Sequence, residues 1–225
     1  MCGRFALIVD ASVLGEVFDV DPPREVNPRF NIAPTQNIPI VRAGKDVPRE
    51  CALVRWGLVP SWAKDEKMGA RMINARGETV AEKPSFRAAV KSRRCLIPAD
   101  GFYEWARTAE RKRPHFIRFV DGRTFAFAGL WERWQGGGNQ PLETCTIITT
   151  TPNELIAKLH DRMPAILAPT DYAEWLAPAA LAPERLHRLL EPHPAKDMEA
   201  YPVSTFVNSP YHEGPECIER TDTAT

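Results

Sequence analysis

The runs Cys95-Leu-Ile-Pro98, Phe102-Tyr-Glu-Trp-Ala106, His115-Phe-Ile-Arg-Phe119 and Thr124-Phe-Ala-Phe-Ala-Gly-Leu-Trp131 crowd the middle of the chain. Each is short, apolar and rich in residues that suit a pleated, half-buried surface, so each reads as a strand. Outward from them, Asn37–Arg42, Cys51–Trp56 and Cys145–Thr150 read the same way. Arg4–Ile8 makes a first short strand, and Ala165–Leu167 and Ala200–Val203 could close the sheet. Helical spacing opens at the capping residue Asp10 and recurs over Ser85–Ser92, Asn153–His160, Asp171–Leu176 and Glu184–Leu190. The regular strand–helix alternation of a doubly wound fold is missing. The expected class is α+β: a single domain on a mixed, curled, barrel-like β-sheet with peripheral helices.

A chain of 225 residues can bury one substantial core. The domain is expected over residues 1–208, with a polar, loose tail over 209–225. The 21 prolines imply many irregular loops, among them Asp21–Pro34. Gly136-Gly-Gly138 reads as a flexible hairpin tip. No apolar run approaches the roughly 20 residues of a membrane span, and the first residues lack a signal peptide's apolar stretch. A cytoplasmic protein is expected, nucleoid-associated when on DNA, and nothing calls for a membrane or for more than a monomer. No G-x-G-x-x-G or phosphate-loop pattern occurs, so no cofactor is expected.

Net charge is zero, yet Arg42 to Arg123 holds 19 Lys+Arg against 10 Asp+Glu, and the remainder is correspondingly acidic. A basic binding face would give this asymmetry, as would a solvated surface clustered in sequence. The five cysteines, Cys2, Cys51, Cys95, Cys145 and Cys217, are odd in number and widely spread, which argues against a disulfide framework. None sits at C-x-x-C spacing, so no metal site is expected. Cys51, Cys95 and Cys145 lie in apolar runs as small buried hydrophobes.

Cys2 differs by position. Removal of Met1 would leave a cysteine with its α-amine and thiol on adjacent carbons. Their reference pKa values, about 7.7–8.0 and about 8.5, leave both partly nucleophilic near neutrality. An amine condenses with an aldehyde to a Schiff base, and the neighbouring thiol can then close a five-membered thiazolidine. No internal cysteine or lysine can do so. The arginine/apolar alternation of Gly3-Arg4-Phe5-Ala6-Leu7 reads as a strand that would hold Cys2 in place.

Further motifs follow in order: Asn31-Ile-Ala-Pro34, Trp56-Gly-Leu-Val-Pro60-Ser-Trp62, Ile73-Asn74-Ala-Arg76-Gly-Glu78-Thr79, Arg94-Cys-Leu-Ile-Pro98-Ala-Asp-Gly101-Phe-Tyr-Glu104-Trp105 and His160-Asp161-Arg162-Met-Pro164. With the opening Cys2-Gly3-Arg4-Phe5, this series resembles the SOS-response-associated peptidase (SRAP) family, the abasic-site processing proteins, over nearly the whole chain. The resemblance implies the SRAP fold, binding of single-stranded DNA containing abasic sites, and a covalent adduct that shields the lesion in the DNA damage response. The ring-opened abasic sugar carries an aldehyde, the partner that Cys2 chemistry requires. It also implies self-removal of Met1, which an aminopeptidase would accomplish equally, and a crosslinking, lyase-like enzyme whose family name carries a peptidase (hydrolase) label.

The same resemblance assigns roles. Asn74 is implied to orient Cys2 or its adduct; read alone, it would equally form a turn. Glu104 is implied as general acid/base, and its apolar neighbours should raise its pKa. His160 is implied to serve the sugar oxygen during ring opening, though a histidine at a helix C-terminus is a common alternative. Arg4, Arg76 and Arg162, inside the motifs, suit phosphate oxygens, with Arg87 and Pro34 as further DNA contacts. Lys64, Lys67, Arg71, Arg93 and Arg94 form a broader basic pool. Trp62 suits base stacking, whereas Trp56 reads as core. Two other functions remain open: an N-terminal-nucleophile hydrolase, which would need oxyanion donors, and a non-catalytic single-strand-binding module that does not use Cys2.

Overall fold

A computed structural model describes residues 2–107, 112–136 and 140–221. The elements are β1 (Phe5–Leu7), α1 (Ala11–Phe18), β2 (Arg29–Ile32), β3 (Asn37–Ala43), β4 (Arg49–Trp56), β5 (Asn74–Arg76), α2 (Ala89–Ser92), β6 (Arg94–Ala99), β7 (Gly101–Arg107) and β8 (Lys112–Phe119). Then come β9 (Phe125–Trp134), β10 (Leu142–Thr150), β11 (Met163–Pro164), β12 (Ile166–Leu167), α3 (Tyr172–Leu176), α4 (Pro183–Leu189) and β13 (Met198–Pro202).

Two sheets share the core. In one, β10-β4-β3-β6-β9 are neighbours and β9 pairs back onto β10, which closes a five-stranded barrel. Its pairings are antiparallel except β10 with β4. The second sheet runs β13-β8-β7-β1-β2. The expected α+β domain on a mixed, barrel-like sheet is what the chain forms.

The chain passes between the sheets at Asp100, which separates β6 of the barrel from β7 of the open sheet. Its carboxylate accepts from the backbone N–H groups of Ile8 and Val9 (3.0 Å for Val9) and from the Thr124 hydroxyl. A side chain at Gly101 would meet the Phe116 ring at 2.2 Å, so only glycine fits this crossing. The seam is filled with aromatics. Phe5 meets Trp56 edge-on at 5.3 Å and Phe127 at 5.8 Å, and Phe102 meets Phe127 at 6.0 Å. Edge-to-face pairs of this kind add about 0.5–1.5 kcal/mol each beyond area burial. Trp56 is fully buried core and donates its indole N–H to the Ile73 carbonyl at 2.9 Å.

Three local expectations change. Ser85–Ser92 keeps only α2 as α-helix, and Asn153–His160 only a 3-10 turn over Ile156–Lys158, with Asn153 Oδ1 capping the Leu155 and Ile156 N–H groups. β2 lies inside the stretch expected as loop, because β1 supplies its ladder. From Ser209 to Thr221 the chain is no loose tail. Asn31, fully buried on β2, donates to the carbonyls of Ser209 (2.9 Å) and His212 (2.8 Å), Cys217 is buried, and Arg220 bridges to Val203. Gly137 and Gly138 of the expected hairpin tip lie outside the described residues, as do residues 222–225.

Candidate active site at the seam of the two sheets

Cys2 precedes β1 and is fully buried. The chain beside it is fixed by Tyr103 N–H of β7, which donates to the Arg4 carbonyl at 3.0 Å. On the barrel side, β5 runs parallel to β10 with Asn74 opposite Ile147, and the Asn74 amide Nδ2 donates to the Cys2 carbonyl at 2.8 Å. That assignment leaves Asn74 Oδ1 buried with no hydrogen-bond partner among the described residues, an acceptor facing the neighbourhood of Cys2.

Glu104 comes from β7, where Tyr103 and Trp105 point to the other face of the sheet. It is 3% exposed and stands close enough to Cys2 and His160 for charge interaction with both. Burial pushes its carboxyl up from the ordinary range. Burial, reinforced by the Glu104 charge, pushes the Cys2 thiol far up. Burial thus works against the partly ionised thiol expected from reference values. Its contact with the Arg4 carbonyl, 3.8 Å, is too long to offset that.

His160 closes the site from the segment before β11. Its Nδ1 lies 3.0 Å from the Arg162 backbone N–H and 2.9 Å from Asp161 Oδ1. One nitrogen cannot accept from the first and donate to the second at once. The amide hydrogen is fixed by the backbone, whereas the Asp161 side chain is 88% exposed and can turn to water. We therefore assign the neutral ring with its proton on Nε2. The structure thus brings Cys2, Asn74, Glu104 and His160 into one shell. Among the described residues, no group of three or more His, Cys, Asp and Glu is arranged to hold a metal ion.

The expected DNA contacts divide. Arg76, two residues beyond Asn74 and on the same side of β5, is exposed, as is Arg87; Pro34 is a half-buried turn residue. Trp62 is 55% exposed and lines an open cleft of about 640 Å³ with Lys64, Lys67, Met68 and Arg71. Arg4 is committed internally: its guanidinium donates to Asn31 Oδ1 (2.7 Å) and the Val207 carbonyl (2.8 Å). Arg162 makes a two-point contact with Glu78 and donates to the Thr149 carbonyl at 2.6 Å. Arg93 pairs with Glu132 at 2.8 Å. Arg94 is 2% exposed and holds the carbonyls of Val90, Lys91, Trp175, Ala177 and Ala179, so it belongs to the fold and leaves the basic pool. Motif arginines serve two purposes, and residue type alone does not separate them.

The site is a buried cysteine near the N-terminus backed by an amide, a desolvated carboxyl and an imidazole. Residues 1–210 match the family described as SOS response associated peptidase (SRAP), and the chain belongs to it. It is 50% identical over 224 residues to "Abasic site processing protein YoqW" of Bacillus subtilis (strain 168), covering 97% of this chain and 99% of that protein. It is 34% identical over 222 residues to "Abasic site processing protein HMCES" of Gallus gallus, covering 85% of this chain and 66% of that one. A crystal structure of a Bacteroides thetaiotaomicron protein matches with TM-score 0.89 at 27% identity, over 98% of this chain and all of that one.

Proposed function

We propose that this protein binds single-stranded DNA and captures the aldehyde of an abasic site covalently through Cys2. The observation that carries the reading is the shell of Asn74, Glu104 and His160 around a buried second-position cysteine. The names of the relatives, abasic site processing proteins, point to the same lesion.

With Met1 removed, the Cys2 amine adds to the aldehyde carbon, and the resulting carbinolamine loses its hydroxyl as water to leave an imine. Because the departing hydroxyl takes its proton from Glu104, the imine nitrogen keeps its own; the thiol sulfur then bonds to the imine carbon while its proton returns to the Glu104 carboxylate, closing a thiazolidine, and the net loss is one water. The buried Glu104 carboxyl, raised from the ordinary range, supplies the proton that helps water leave and then accepts the thiol proton. The protonated thiol waits for the imine, so the amine attacks first. His160, with its proton on Nε2, can donate toward the sugar ring oxygen as the furanose opens. Asn74 anchors the Cys2 carbonyl, and its buried Oδ1 is available to the adduct.

Trp62 and the cationic cleft beside it suit a stacked base and the backbone next to it. Asp65 and Met72 complete the lining of that cleft, and Asn74 follows two residues after Met72. The high thiol pKa weighs against the alternative of a thiolate attacking an amide. The test is incubation with a single-stranded oligonucleotide carrying one abasic site, followed by a denaturing gel. A crosslinked band is expected with the native protein and none with undamaged DNA. Equal non-covalent binding without a crosslink would sink the proposal.

A further inference from the structure

Two short segments flank β10 and supply the site: β5 with Asn74 on one side, and the His160–Pro164 stretch with β11 on the other. Neither is long enough to fix its own position. One ion pair spans them. Both terminal nitrogens of Arg162 reach the Glu78 carboxylate, with Nη2 to Oε2 at 2.9 Å, and Nη2 also donates to the Thr149 carbonyl of β10. Glu78 sits in the 3-10 turn immediately after β5, four residues beyond Asn74. The Arg162 side chain is 13% exposed, so this is no loose surface contact. The same residue's backbone N–H is the donor to His160 Nδ1.

We propose that Glu78 is a positioning residue: by clamping Arg162 it fixes the His160 ring, and with it the Nε2–H tautomer, relative to Asn74 and Cys2. This rests on the capture reading above and adds a residue to it. Released from Glu78, the Arg162 fork would keep, among the described residues, only the Thr149 carbonyl and a long contact to its hydroxyl, on a segment whose strand is two residues long. The amide that sets the histidine tautomer would move with it. The hydrogen bonds from Arg162 also hold the Glu78 carboxyl below its ordinary range, so the clamp stays charged at neutrality. Arg162 is thus held by a carboxylate and contributes geometry to the site.

The experiment compares native protein, Glu78→Ala and Glu78→Gln in three measurements. At saturating abasic-site oligonucleotide, Glu78→Ala should slow capture about tenfold, short of the roughly 10²-fold that a 1 Å misplacement can cost. Glu78→Gln, which keeps one acceptor for Arg162, should recover part of that rate. The dissociation constant for a single strand carrying a tetrahydrofuran analogue, which has no aldehyde, should change less than about twofold, since a positioning defect spares binding. Ring ¹⁵N shifts of His160 should report a single Nε2–H tautomer in native protein and a mixture in Glu78→Ala. The proposal is overturned if folded Glu78→Ala keeps both the native capture rate and the native ring signature. It is equally overturned if the loss lies wholly in DNA affinity. Absence of capture by the native protein would instead remove the functional reading, and the tautomer measurement would still decide the role of Glu78.

Discussion

The barrel interior and the seam beside it both bury cysteine completely, and the two regions treat the thiol very differently. Cys95 and Cys145 lie in the barrel among apolar side chains, where desolvation pushes both thiols up. Cys2 is as deeply buried, yet it has Asn74 on its carbonyl and Glu104 within electrostatic reach. Burial alone makes a cysteine inert. Burial beside a carboxyl and an amide raises the thiol equally but, in the proposed capture, gives its proton an acceptor.

The contrast is broken most severely by exchanging the two kinds of cysteine. Cys2→Ala should abolish capture, while Cys145→Ala should leave capture intact and cost about 1 kcal/mol of stability, measured by urea unfolding. If Cys145→Ala also abolished capture, the barrel would not be a passive scaffold. Arginines sharpen the point next. Arg94→Ala orphans five carbonyls and should cost about 3 kcal/mol or more. Arg76→Ala should leave the melting temperature alone and reduce the salt slope of single-strand binding by about 1. Glu104→Gln should slow capture by about 10², within the range for removing a general acid/base.

Smaller effects follow. Trp62→Ala should weaken single-strand affinity by about 1–3 kcal/mol if a base stacks there, in fluorescence anisotropy with an undamaged strand. The raised Glu104 carboxyl also makes a stability prediction with a definite sign. Its folded pKa exceeds the unfolded value, so between the two the native state holds the extra proton and stability falls as pH rises. Glu104→Gln, uncharged throughout, should melt above native protein at pH 8. The gap should close below the ordinary glutamate pKa. A gap independent of pH would mean Glu104 is not desolvated as described.

The strands of the barrel were legible in the sequence because each carries its own apolar run, and Cys2 because its chemistry depends on position in the chain. The short strands β2 and β5 were not, since their ladders come from partners distant in sequence. Asn74 looked like a turn former until β10 supplied its pairing, and the stretch after Ser209 looked loose because Asn31, which holds it, is far upstream. Arg4, Arg94 and Arg162 show the limit most clearly. A guanidinium suits a phosphate and a cluster of carbonyls equally well, and only the fold says which it meets. Glu78 stood in plain view within a motif, but its partner lies 84 residues away.

The most direct measurement is the intact mass of the adduct formed with an abasic-site single strand, taken with and without borohydride. The expected species is the chain lacking Met1 plus the oligonucleotide less one water, unchanged by borohydride because a thiazolidine has no imine to reduce. Cys2→Ser should instead give an adduct only after reduction. A native adduct that retains Met1, maps to another residue or gains two hydrogens on reduction would contradict capture by the Cys2 aminothiol.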